Sequence, residues 1–176
     1  LEIEKLRSAA RDERDTAIIE ILLSTGCRVS EFAQILLTDI EDDRVLVHGK
    51  GQKDRYVYLN TRSQFALEQY LQKRQDNNPY LLPTIKGHWQ YSSSVLPGYM
   101  STSSISTILR KLAKRAGVEH ANPHKFRRTC ATMALRRGMP IEQVSKMLGH
   151  EDVSTTQIYL DLSEDDLKQA HKKYVV

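Results

Sequence analysis

Pro123-His124-Lys125-Phe126-Arg127-Arg128-Thr129 opens the stretch, running to Tyr159, around which the rest of the chain can be arranged. Pro123 suits a first helical position, because its missing N–H has no partner there in any case. His124 and Arg127 then stand one turn apart, so two polar groups can address one target. Phe126, Cys130, Met133, Ala134 and Leu135 fall on another stripe, which lets the helix bury one side and present the other. Gly138 and Pro140 end it. A second helix runs from Ile141 to Leu148 and closes on Gly149, leaving His150 just beyond the cap. Ser154-Thr155-Thr156 begins another short helix that carries Tyr159.

Upstream, Arg11 to Thr25 reads as a helix with Ala17, Ile18, Ile21, Leu22 and Leu23 on an apolar face, Asp12 and Asp15 at its start and Gly26 after it. Arg28-Val29-Ser30-Glu31 opens the next helix, with Phe32, Ile35 and Leu36 as its apolar positions. That places Arg28 in a turn between packed helices, where it can also simply pair with Glu31 three residues on. Arg44 to His48 and Arg55 to Leu59 are β-branched and aromatic runs around Gly49-Lys50-Gly51-Gln52-Lys53-Asp54, which predicts two antiparallel strands and a glycine-rich turn. The turn is no phosphate-cradling loop, since it lacks a Gly-Lys-Ser/Thr ending and no helix follows directly.

Ser63 to Arg74 predicts a helix with Phe65, Leu67, Tyr70 and Leu71 as core candidates. Residues 77–100, including Trp89, read as a long irregular segment with a short strand possible at Tyr80 to Leu82. Ser103 to Ala116 predicts a helix with Ile105, Ile108, Leu109 and Leu112 inward and Arg110, Lys111, Lys114 and Arg115 outward, stopped by Gly117. Ser163-Glu164-Asp165-Asp166 caps a final helix running toward Tyr174. The pattern is mainly α with a small antiparallel β-sheet.

A chain of 176 residues suits one domain. It has no long apolar run and no secretory signal, so the expectation is a cytoplasmic protein with no membrane partner. Cys27 and Cys130 sit in apolar helical contexts, and no Cys/His cluster has zinc spacing. No metal and no cofactor are expected. The net charge of +4 is unevenly spread: Met100 to Gly138 holds nine basic residues against one acidic, whereas Leu1 to Asp43 holds five against eleven. A polyanion such as a nucleic-acid backbone would be drawn to the basic segment, although a solvated basic helix surface accounts for the charge equally well.

Taken in order, Thr25-Gly26-Cys27-Arg28-Val29-Ser30-Glu31, Gly49-Lys50-Gly51, His124-x-x-Arg127, Leu148-Gly149-His150 and Tyr159 resemble the tyrosine recombinase (phage integrase) family across nearly the whole chain. The resemblance implies that Arg28, Lys50, His124, Arg127, His150 and the nucleophile Tyr159 take the catalytic positions. Glu31 matches a supporting acidic position behind the first arginine. Both Lys50 and Lys53 lie on the hairpin, and the Gly-Lys-Gly register favours Lys50. Arg128 departs from the second histidine that many members carry after the arginine. Lys53, Arg55 and Arg128 are expected to contact DNA.

The implied partners are a double-stranded DNA recombination site and further copies of the chain, a tetramer joined through the C-terminal helix. The implied domain is a catalytic one over residues 1–176, without the family's N-terminal DNA-binding domain. The implied reaction is strand cleavage and rejoining through a 3′-phosphotyrosine. A Tyr-nucleophile topoisomerase, or a helical DNA-binding regulator without catalysis, is the alternative. A metal-dependent nuclease is disfavoured, since no acidic cluster accompanies the histidines.

Overall fold

The computed structural model describes residues 1–49, 53–84, 98–150 and 152–157. Lys50, Trp89, Tyr159, the hairpin tip and the helix expected after Ser163 lie outside the described residues.

The core is built on α2 (Glu13–Thr25), which packs mainly against α4 (Thr61–Lys73) and α6 (Pro123–Arg136). Asp12 accepts the Asp15 N–H at 2.7 Å and so caps its first turn. Ile18, Ile19, Ile21 and Leu22 are all buried, so the helix is enclosed on most sides rather than amphipathic. It buries two carboxylates, Asp15 and Glu20, and Glu20 takes a two-pronged ion pair from Arg7 at 2.6 and 2.8 Å. That pair ties down α1 (Ile3–Ser8), a helix the sequence reading did not foresee.

Gly26 ends α2 in the left-handed region at φ 58°, and the chain turns at once into the short α3 (Val29–Ala33). Glu31 accepts the Arg28 N–H at 2.8 Å, one half of a capping box. The helix stops before Ile35 and Leu36, which were expected to continue it. Instead Leu36 bridges Tyr80, and Leu81 N–H bonds the Ile35 carbonyl at 2.8 Å.

A three-stranded antiparallel sheet follows, in the order β1 (Ile40–Glu41), β2 (Arg44–Val47), β3 (Arg55–Tyr58). The register pairs Val45 with Val57 and Val47 with Arg55. Strand alternation sends Val45, Val47 and Val57 into the core and leaves Tyr56 and Tyr58 exposed. Arg44 stacks over the Tyr56 ring at 4.3 Å.

In α4, Ser63, Ala66, Leu67 and Tyr70 face inward at helical spacing. Phe65 falls between them and is 61% exposed, so its expected core role is corrected, while Leu67 and Tyr70 are buried as read. The helix α5 (Thr102–Ala116) buries Ile105, Leu109 and Leu112 and ends at left-handed Gly117. Arg115, read as outward, turns back to Asp15 at 2.8 Å and to the Ala9 carbonyl. Beyond α6 come α7 (Ile141–Leu148) and α8 (Ser154–Gln157). Ala131, Val144 and Leu148 form a small separate cluster that fastens α7 to α6.

Candidate active site

The site is assembled at the C-terminal end of α7. A helix leaves its last carbonyls without intrahelical partners, and the same end carries the negative pole of the helix dipole. Three consecutive carbonyls there are each met by a different arginine. Arg55 Nε donates to the Met147 carbonyl at 3.1 Å, Arg127 Nη2 to Leu148 at 2.8 Å, and Arg28 Nη2 to Gly149 at 3.1 Å. Left-handed Gly149 then turns the chain so that His150 stands beside these three cations.

Arg127 is buried, and its Nη1 donates to the Gly26 carbonyl at 2.7 Å. The terminal turn of α2 and that of α7 are thus joined through one guanidinium. Asn122 caps α6 by accepting the Lys125 N–H at 2.9 Å, and Pro123 occupies the first turn as read from the sequence. Arg28 is the more open of the two, with 46% of its side chain exposed. Its Nη1 donates to Glu31 Oε1 at 3.0 Å, so the local pairing with Glu31 and the long-range placement at the site coexist.

Glu31 is buried and lies between two arginines. Arg55 grips it through Nη1 to Oε1 at 2.8 Å and Nη2 to Oε2 at 2.9 Å. Burial pushes the Glu31 carboxyl upward, and the hydrogen bonds from Arg55 and Arg28 more than reverse that, holding it below the usual range. Arg55 was expected on the DNA. Its side chain lies in the site, only 15% exposed, engaged with Glu31 and Met147. The signal was present in the sequence: Arg55, Val57 and Leu59 alternate on one strand face, and the last two are core residues.

His150 is half-buried, with Nδ1 at 2.7 Å from Thr156 Oγ1. Burial, and then the charges of Arg127, Arg28 and Arg55, pull its pKa down to about 4, so the ring is neutral at pH 7. A cavity of about 1050 Å³ opens here, lined by Arg28, Glu31, Lys53, Arg55 and His150 among others. His48 also lines it, its Nδ1 at 3.0 Å from Asp54, and that carboxylate raises the imidazole pKa. Sequence reading did not single out His48.

The expected site residues differ in burial and in the cavities they line. Arg28, Glu31, Arg127 and His150 converge, and Lys53 lines the same cavity. His124 stands exposed on the first turn of α6, whereas Arg127 on the same helix is buried. Arg128 is exposed and lines a different groove with Lys125 and Arg136. Cys27 and Cys130 are buried thiols whose pKa values burial pushes up to about 11 and about 12. Among the described residues no group of three or more His, Cys, Asp or Glu could hold a metal ion, and no helix is long and apolar enough to cross a membrane.

Comparison with known proteins bears on the family and the fold. The model of the phage integrase family matches residues 2–165. The tyrosine recombinase XerC of Oceanobacillus iheyensis is 36% identical over 172 residues, which is 92% of this chain and 53% of that protein. The crystal structure of XerA recombinase superposes with a TM-score of 0.83 at 32% identity, covering 99% of this chain and 62% of that one. The XerH site-specific recombinase, solved on its difH substrate before cleavage, shares the fold with a TM-score of 0.73 at 21% identity, over 99% of this chain and 53% of that one. The chain spans just over half the length of the XerC relative it matches. With the matched model, the XerC identity and the shared fold in agreement, the chain belongs to the phage integrase family.

Proposed function

We propose that this chain cuts and rejoins DNA as the catalytic unit of a site-specific recombinase, acting in the cytoplasm, by way of a covalent 3′-phosphotyrosine. The observation that carries the reading is the convergence of Arg28, Arg127 and His150 on one helix end beside an open cavity. A phenol has a pKa of about 10, so attack on a phosphodiester at neutral pH needs surroundings that favour the anion. Fixed guanidinium charge supplies them.

In the proposed step the Tyr159 hydroxyl oxygen bonds to phosphorus, and the bond to the 5′ oxygen breaks. Arg28 and Arg127 bear on the non-bridging oxygens and stabilise the charge that builds as phosphorus becomes five-coordinate. Lys50 gives a proton to the departing 5′ oxygen. His124 and His150 hold the phosphate by hydrogen bonds or exchange protons beside it. A 5′ hydroxyl from a second strand then reverses the bond exchange, which needs no external energy source because the ester energy is kept in the linkage.

The test is incubation with a nicked DNA site that traps the intermediate, followed by a denaturing gel. The expected result is a protein–DNA adduct that survives EDTA and vanishes in Tyr159→Phe. Arg127→Ala should slow its formation by roughly 100- to 1000-fold, as loss of one charge-stabilising donor does elsewhere. Binding without any adduct would favour a non-catalytic regulator. Plasmid relaxation without two-site recombination would favour a topoisomerase.

A further inference from the structure

We propose that Arg55 is a positioning residue for strand cleavage, locking Glu31 to the end of α7 so that Arg28 and His150 are held in register. This rests on the functional reading above, and extends it to a side chain that touches no reacting atom. The argument begins with the strand. Arg55 pairs with Val47 and shares the inner face of β3 with Val57, so its side chain is sent under the site rather than outward.

There it makes three directed bonds, two to Glu31 at 2.8 and 2.9 Å and one to the Met147 carbonyl at 3.1 Å. A planar guanidinium can serve a carboxylate edge and a separate carbonyl at once, and an ammonium cannot match that fork. The two elements it joins are the ones that carry Arg28 and His150. Arg28 is fixed by the same two elements, through Glu31 and the Gly149 carbonyl.

The packing allows little slack. A Cβ at Gly149 would stand 2.9 Å from Arg55 Cζ, so the turn before His150 rests directly on the guanidinium. Removing Arg55 leaves the buried Glu31 carboxylate with Arg28 as its remaining guanidinium partner. An under-paired buried charge draws its neighbour in. Arg28 would be pulled toward Glu31 and away from the cavity, and the end of α7 would lose one of its tethers.

The experiment compares Arg55→Met, Arg55→Lys, Glu31→Gln and the double variant Glu31→Gln/Arg55→Met for adduct formation and DNA affinity. Small misplacements at a reacting centre cost on the order of 100-fold, so Arg55→Met should slow the adduct by about that much while DNA affinity changes less than about 3-fold. Arg55→Lys should fall between. On the Glu31→Gln background the same Arg55→Met change should cost far less, because residues that act through one another are not additive. An equal cost on both backgrounds, or a loss of DNA affinity with an intact cleavage rate, overturns the proposal.

A second readout needs no reaction and no DNA. Amide hydrogen exchange over residues 146–150 should quicken in Arg55→Met and stay unchanged over α4 and α5. Unchanged exchange over 146–150 overturns the positioning role. Should the wild-type chain form no adduct, the functional reading fails while exchange still decides the part played by Arg55. If Arg55→Met does not fold, the double variant, freed of the buried charge, carries the same exchange comparison against Glu31→Gln.

Discussion

His150 shows how a single side chain records its surroundings. Its ordinary pKa of 6.5 is drawn to about 4 by burial, Arg127, Arg28 and Arg55, so protonation is disfavoured in the folded state alone. Above pH 6.5 its titration leaves stability unchanged; as pH falls from there toward about 4, the unfolded chain gains a proton the native chain refuses, and stability is lost. Glu31 behaves differently. Its depressed pKa contributes stability above the ordinary carboxylate value and withdraws it only as pH drops below that range. His150→Asn should therefore gain in Tm relative to wild type as pH is lowered from 7 to about 4.5, followed by calorimetry across the window set by those pKa values. A Tm difference that stays constant over that range would contradict the assignment.

At the level of elements, the site depends on how helices end. Gly26 closes α2 at φ 58°, and a Cβ placed there would meet both Cys130 Sγ and Leu148 Cδ2 at 3.0 Å. The Gly26 carbonyl is also the acceptor for Arg127. Gly26→Ala should cost about 1–2 kcal/mol for the left-handed conformation, before any repacking against α6 and α7. For a chain of this size that lowers Tm by roughly 2–8 °C. Because the strain falls on the turn that seats Arg127, adduct formation should drop as well. An Ala variant with unchanged Tm would show that the turn can adopt another conformation. The same logic makes α7 more than a spacer. Its last carbonyls, which have no partners within the helix, collect three guanidinium groups, so its dipole and these acceptors form the frame to which the cationic side chains are attached.

For the whole molecule, the charge segregation predicts salt-dependent DNA binding, because phosphate contacts release counterions. The basic side chains differ in where they stand. Lys53 lines the cavity and Arg128 an outer groove, while Arg55 lies inside and Arg115 is engaged with Asp15. Lys53→Ala and Arg128→Ala should each reduce the slope of log affinity against log salt by about one unit. Arg55→Met should leave the slope unchanged, since its positive charge serves Glu31 rather than a phosphate. Fluorescence anisotropy on a short duplex over a salt series measures all three slopes. A shallower slope in Arg55→Met would return that residue to the DNA surface.

The sequence by itself determined the features that depend on a few neighbouring residues. Gly26, Gly117 and Gly149 mark helix ends because their backbones take positive φ, and Asn122-Pro123 starts α6 through a local cap and a dispensable N–H. The paired strands followed from β-branched and aromatic runs on either side of a glycine-rich stretch, and the order of Arg28, His124-x-x-Arg127 and His150 is enough to disclose the family. Only the tertiary structure decided which partner each charged group meets. Arg28 finds the Gly149 carbonyl across a separation of 121 residues, and Arg55 finds Glu31 across 24. Phe65 was misread as core, and α1 went unseen, because their fate depends on what packs against them. Capping and turn preferences act through bonds within one turn of chain, whereas desolvation and ion pairing act through space, and space is settled only when the helices have packed.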